Sequence, residues 1–168
     1  MSPSRARSTS SLGGPVALKV QFNVSSGGAQ LLALVSPTCE LCLGGVATVL
    51  QGLDESIGGS FRAHIVWTPV LSGDTRKAAA AAAADRQGER VEHYWDGTKS
   101  LSLAAHTVLD LAAFDRTVAW DVYLLYRAGA LWDTAFPTPM SWLHQLRIDD
   151  RPSLDAASLQ GAIQAATS

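Results

Sequence analysis

Hydrophobic and polar positions recur along this chain with two different periods, and the switches between them predict its elements. "QLLALVS" (30–36) is a near-continuous apolar run of strand length, the pattern of a strand buried on both faces. Over 39–57 the period lengthens. Leu43, Val46, Val49, Leu50 and Leu53 recur at helical spacing, and Gly58-Gly59 ends the helix. In "FRAHIVWTPVL" (61–71), Ala63, Ile65 and Trp67 alternate against Arg62, His64 and Val66, which predicts a second strand that Pro69 limits. "RKAAAAAAADRQ" (76–87) predicts a surface helix: alanine is the best helix former, Asp74 or Thr75 can cap it, and Gly88 closes it. "RVEHYWD" (90–96) predicts a short strand, and 99–112 a helix after the turn at Gly97.

The two ends follow from the same periods. "VALKVQF" (16–22) alternates, which predicts a strand before the "SSGG" turn. "TVAWDVYLLYRAGALWDTAF" (117–136) predicts two antiparallel strands around Ala128-Gly129, the first β-branched and aromatic at 122–126. After Pro137 and Pro139, "MSWLHQLRI" (140–148) predicts a helix, and 152–167 a last one with Ser153 or Asp155 as its cap. The predicted order is β-β-α-β-α-β-α-β-β-α-α. Such alternation implies an α/β fold, a mainly parallel sheet with helices on both faces, closed by an antiparallel hairpin. Residues 1 to about 14 are expected to be a flexible polar tail, and 15–168 a single domain.

Composition narrows the classes. A chain of 168 residues with 47% hydrophobic and 17% charged residues has the make-up of one compact domain with a sizeable core. A formal charge of −2 and no basic stripe argue against nucleic acid or an anionic membrane as partner. No apolar run approaches the roughly 18 residues of a membrane span. The two arginines near the start precede no apolar stretch of about 7–15 residues, so no secretory signal is expected and the expected compartment is the cytoplasm. In a reducing cytosol two neighbouring cysteines are expected to be catalytic or metal-binding rather than a lasting disulfide.

The only two cysteines, Cys39 and Cys42, lie in "SPTCELCLGG" (36–45). A redox pair, part of a metal site and two buried thiols are all open readings of the bare pair, although two cysteines exclude an all-Cys four-ligand zinc site. Placement favours chemistry. Cys39 follows a buried strand and opens a helix, whose unpaired N–H groups and roughly half positive charge stabilise a thiolate. That lowers the pKa of the first thiol and makes it the nucleophile. Cys42, three residues on, is on the same helix face and close enough to close a disulfide. Cys39 would attack a substrate disulfide and Cys42 would resolve the mixed disulfide.

A buried strand followed by C-x-x-C at a helix start resembles the thioredoxin superfamily. The strands and helices over 16–148 follow that family's order, and the extra elements at 76–112 look like its peroxiredoxin- and TlpA-type branch. "VWTPVLSGD", "EHYWD", "WDVYLLY" and "WLHQL" also resemble a group of bacterial thioredoxin-like proteins. The resemblance implies a three-layer thioredoxin-like fold, a central mixed β-sheet flanked by helices. It implies a thiol–disulfide oxidoreductase with no organic cofactor, acting on protein or small-molecule thiols and disulfides.

Departures from the family's pattern matter too. Thr38 stands where the family has Trp, and Glu40-Leu41 separates the cysteines. The Glu40 charge opposes the helix dipole, each worth about 0.3–1 kcal/mol at a surface, so a rather reducing pair is expected. The family's cis-proline, which shapes the substrate groove and keeps metal ions off the sulfurs, is replaced by Ala119-Trp120. Thr38, Glu40, Leu41 and Trp120 are therefore the candidate groove. The alternatives are a protein holding a soft metal such as Hg(II), Cu(I) or Zn(II) between Cys39 and Cys42, and a non-catalytic interaction module.

Asp121, beside the replaced proline, and Asp96 are candidates for the acid that moves protons to and from Cys42, with Asp121 preferred. His64, His93, His106 and His144 are too scattered to form a ligand motif, and the five tryptophans are expected in the core. No phosphate loop, dinucleotide fingerprint or nucleophile elbow is present. "ALVSPTC" also lacks the P-x-x-x-[TS]-x-x-C arrangement of the peroxidatic relatives.

Overall fold

Two layers of helices enclose a five-stranded sheet in the computed structural model of the protein, which describes residues 12–56, 60–114, 117–148 and 151–168. The strands are β1 (Gln30–Val35), β2 (Arg62–Trp67), β3 (Val91–Trp95), β4 (Val122–Tyr126) and β5 (Ser141–His144), in the order β3-β2-β1-β4-β5. β1, β2 and β3 run parallel, β4 is antiparallel to β1, and β5 is antiparallel to β4. The helices are α1 (Pro15–Val24), α2 (Glu40–Glu55), α3 (Arg76–Ala84), α4 (Ser100–Val108) and α5 (Ala156–Thr167), with a 3₁₀ turn at Leu111–Phe114.

β1 is buried at every position because it is the central strand and both its faces are covered. Leu31, Ala33 and Val35 join the core under α2, α3 and α5, while Leu32 and Leu34 join the core under α1 and α4. Alternate side chains of a strand point to opposite faces, so one apolar run serves two cores. β2 does the same: Ala63, Ile65 and Trp67 face one core, Val66 the other. The mixed sheet with helices on both faces is the expected fold class.

Three expected elements are different in the structure. Residues 16–22 form α1, not a strand. Pro15 sits at the helix start, where its fixed φ suits the first turn. Leu18 and Phe22, four apart, are the buried pair, and Val16, Val20 and Val24 are exposed. The alternating pattern contains that four-residue spacing, and the helix uses it alone.

The hairpin predicted around Ala128-Gly129 has β4 as its first strand, but its second strand is β5. Residues 130–136 form no strand, and α1 takes the backbone polar groups of Trp132 in their middle. Asn23 Nδ2 donates to the Trp132 carbonyl (2.8 Å), and the Trp132 N–H donates to Asn23 Oδ1 (2.7 Å). Trp132 also packs edge-on against Phe22 and Phe136. Residues 140–148, read as a helix, supply β5, in which the consecutive Trp142 and Leu143 enter opposite cores.

Elsewhere the caps decide between the candidates. Thr75 caps α3 by accepting the Ala78 N–H (3.1 Å), and Asp155 caps α5 by accepting that of Ser158 (2.7 Å). The Gly58-Gly59 helix stop and residues 1–11 of the expected tail lie outside the described residues. Gly13 pairs with Tyr94, its carbonyl accepting the Trp95 N–H at 2.9 Å.

Candidate functional site: the dithiol at the start of α2

β1 delivers the chain to the site at its carboxyl end, and Ser36-Pro37-Thr38 turns it into α2. Cys39 is the N-cap, with extended backbone (φ −85°, ψ 116°), and its Sγ accepts the Cys42 N–H at 3.4 Å. The sulfur thus takes the place a capping hydroxyl or carboxylate fills in other helices. Cys39 is half-buried and Cys42 fully buried behind it, both as free thiols.

A buried carboxylate holds the turn. Asp74 accepts from the Ser36 hydroxyl (2.7 Å to Oδ2), the Thr38 hydroxyl (2.6 Å) and the N–H groups of Val70 (2.9 Å) and Leu71 (2.8 Å). Burial pushes its pKa up, but the donors Thr38, Leu71, Ser36 and Val70 together outweigh it and hold the carboxyl below its ordinary value. Loop 69–74 and the cysteine turn are therefore one unit.

The inner wall comes from the start of β4 and the end of β5. Asp121 is 2% exposed and has a left-handed backbone (φ 56°), and its N–H donates to the Leu34 carbonyl at 2.7 Å. The Tyr123 hydroxyl donates to Asp121 Oδ1 at 2.8 Å. Burial raises the Asp121 pKa, and Tyr123, the charge of His144, the Gln145 amide and the Cys42 thiol offset only part of that rise. Burial pushes the Cys42 thiol far up, the neighbouring Asp121 charge adds to this, and the Ser36 main chain opposes it. The Tyr123 hydroxyl is pushed well up by burial first and by Asp121 second, so it remains a donor.

α2 approaches this wall through a glycine. A Cβ on Gly45 would lie 1.9 Å from the Tyr123 hydroxyl oxygen, so only glycine permits the approach. The Gln145 side chain then ties down the first turn, donating to the Leu41 carbonyl at 3.0 Å.

The candidate groove residues occupy different situations. Thr38 is exposed but turns its hydroxyl to Asp74, Glu40 is exposed in the first turn, and Leu41 projects with 62% of its surface exposed. Trp120 is partly buried and packs against the same core as Cys39. Asp96 is engaged elsewhere: its carboxylate accepts from Thr98, Ser100 and the Leu101 N–H (2.8 Å) at the start of α4.

The histidines do not gather. His64 lies between Gln30 and Tyr94, His93 stacks on Trp67, and His144 donates to the Arg151 carbonyl. Among the described residues no group of three or more His, Cys, Asp or Glu is placed to hold a metal ion. Three residues of the site were not legible as such in the sequence: Asp74, read only as a cap, Tyr123, read only as strand, and Gln145. Gly45, one turn into a helix that has no other need of it, was the available signal for Tyr123.

No family model and no curated protein matches the sequence. Solved structures do match the three-dimensional arrangement. A secreted Mycobacterium tuberculosis disulfide oxidoreductase homologous to E. coli DsbE aligns over 87% of this chain and 85% of its own, at 13% identity and a TM-score of 0.51. The M. tuberculosis DsbF, solved in mixed oxidised and reduced forms, aligns over 88% and 84%, at 15% identity and a TM-score of 0.52. The fold is thioredoxin-like. In the thioredoxin-like architecture of this chain, the dithiol sits at the carboxyl end of the central strand with its second sulfur buried against β4. No helix among the described residues is long and apolar enough to cross a membrane.

Proposed function

We propose that the protein is a thiol–disulfide oxidoreductase in which Cys39 is the attacking thiol, Cys42 the resolving thiol and Asp121 the proton acceptor for Cys42. The observation that carries this reading is the asymmetry of the pair. Cys39 at the helix start is partly exposed, whereas Cys42 is buried beside a buried carboxyl. One structural neighbour, the secreted M. tuberculosis protein, is a disulfide oxidoreductase, which supports the reading.

The Cys39 thiolate attacks one sulfur of a disulfide in a protein or small-molecule partner. A mixed disulfide forms, the partner's S–S bond breaks, and its other sulfur leaves as a thiolate. The Cys42 proton then passes to the Asp121 carboxylate, and the Cys42 sulfur attacks Cys39 Sγ. The Cys39–partner bond breaks and the second thiolate leaves. The partner gains two electrons, and Cys39 and Cys42 end as a disulfide; a dithiol partner runs the sequence backwards. Thr38, Glu40, Leu41 and Trp120 border the path of approach, with Leu41 offering an exposed apolar contact between the two cysteines.

Cys42→Ser is expected to accumulate mixed disulfides with partners, and Cys39→Ser to accumulate none, read by non-reducing gels after acid quench. Equal behaviour of the two variants would overturn the assignment. The reduction potential fixes direction and compartment: roughly −270 mV would suit the reducing pair and cytoplasmic location read from the sequence, roughly −120 mV a secreted oxidant.

A further inference from the structure

We propose that Tyr123 is a positioning residue for the resolving step: its hydroxyl holds the Asp121 carboxylate toward the Cys42 thiol, in the space that Gly45 leaves open. The proposal rests on the reading of Asp121 as the proton acceptor of Cys42, and its test is arranged to separate the two.

The geometry is specific. Tyr123 is completely buried, and its hydroxyl donates to Asp121 Oδ1 at 2.8 Å. A carboxylate with one oxygen engaged is fixed in orientation and keeps acceptor capacity for a second donor. The groups facing it come from each neighbouring element: Cys42 from α2, Tyr123 from β4, His144 from β5 and Gln145 just beyond it, while Cys39 at the helix start faces the Tyr123 hydroxyl. Burial favours the neutral acid, which cannot accept a proton. A donated hydrogen bond favours the carboxylate, which can.

Tyr123 is such a donor, and its own proton is held firmly by burial. The close approach has a structural cost on α2, where every residue but glycine would strike the hydroxyl. Glycine in a helix interior is itself unfavourable, by about 1 kcal/mol against alanine. A tyrosine serving only to fill the core would need neither the contact with Asp121 nor that gap.

The experiment uses a chromogenic aromatic disulfide, which releases one coloured thiolate on attack by Cys39 and a second on resolution by Cys42. In Tyr123→Phe the second release slows about tenfold at neutral pH, and its pH midpoint moves up by about one unit, because Asp121 then ionises only at higher pH. Asp121→Asn slows the second release and removes that pH dependence. The double variant behaves as Asp121→Asn alone. Gly45→Ala, which keeps Tyr123 but drives a methyl into its hydroxyl, slows the second release in the same way.

Three results would overturn the proposal, each differently. An Asp121→Asn variant that resolves like the parent removes the proton acceptor and the premise with it. Slow resolution in Asp121→Asn with an unshifted Tyr123→Phe leaves Asp121 standing and rejects Tyr123. A further slowing when Tyr123→Phe is added to Asp121→Asn shows that the hydroxyl acts by a route other than the Asp121 carboxylate.

Discussion

Asp121 carries two local costs at once: a left-handed backbone and a buried carboxyl. Asparagine and aspartate tolerate the left-handed region better than other non-glycine residues, so the backbone favours those two or glycine. The charge decides between them. Because the folded pKa lies above the ordinary 3.8, the carboxyl is unpenalised below that value, and the protein loses stability as pH rises through the folded pKa. Asparagine has no such penalty and keeps the acceptor for Tyr123. Asp121→Asn is therefore expected to raise stability at neutral pH by roughly 1 kcal/mol while slowing the exchange chemistry. Denaturant unfolding at pH about 7 and about 3.5 checks it, the gain vanishing at the lower pH. An equal gain at both would trace it to the backbone alone.

At the scale of elements, Asp74 binds two loops that the sheet does not join. Asp74→Ala leaves the Ser36 and Thr38 hydroxyls and the Val70 and Leu71 amides without their shared acceptor. A loss of about 2–3 kcal/mol at neutral pH is expected, as for hydrogen bonds to a charged group. Its folded pKa is depressed, so the stabilisation is present above 3.8 and disappears as pH falls through the folded value. Unfolding of both forms across that range would show the curves converging in acid, and parallel curves would rule out the carboxylate.

The same scale explains what was legible. β1, α2, β2 and α3 each have one period and clear punctuation, so pattern alone locates them. α1 and β5 do not. Leu18 and Phe22 satisfy both periods, and the four residues of β5 are too few to declare one. Residues 130–136 look like strand, but the backbone of Trp132 at their centre bonds to the Asn23 side chain, 109 positions away. Cys39, Cys42 and Asp121 were visible because their residue types carry chemistry. Tyr123 and Gln145 acquire a place in the site only through contacts made across the sheet.

Across the whole molecule the face opposite the dithiol contains a polar row through the core. Gln30 Nε2 donates to the Phe22 carbonyl of α1 (3.0 Å), which leaves Gln30 Oε1 to accept from His64 Nε2 (2.7 Å). His64 Nδ1 then accepts from the Tyr94 hydroxyl (3.3 Å), so the ring is neutral with its proton on Nε2. One row joins α1, β1, β2 and β3, and it works only while His64 is uncharged. Burial first, and Arg62 second, lower its pKa from 6.5 to about 4. A depressed histidine gives stability that is complete above 6.5 and is lost as pH falls toward the folded value. The window is therefore 6.5 to about 4, and the loss across it is about 3 kcal/mol. His93, also depressed by burial, acts in the same direction, and Asp121 in the opposite one. The comparison that isolates the row is His64→Gln, a neutral side chain that cannot be protonated there. Unfolding free energies at about pH 7.5 and about pH 4.5 should fall steeply in the parent and much less in His64→Gln. If the variant keeps the parent's full slope, the acid sensitivity of the fold lies with other groups, and the row contributes packing and orientation only.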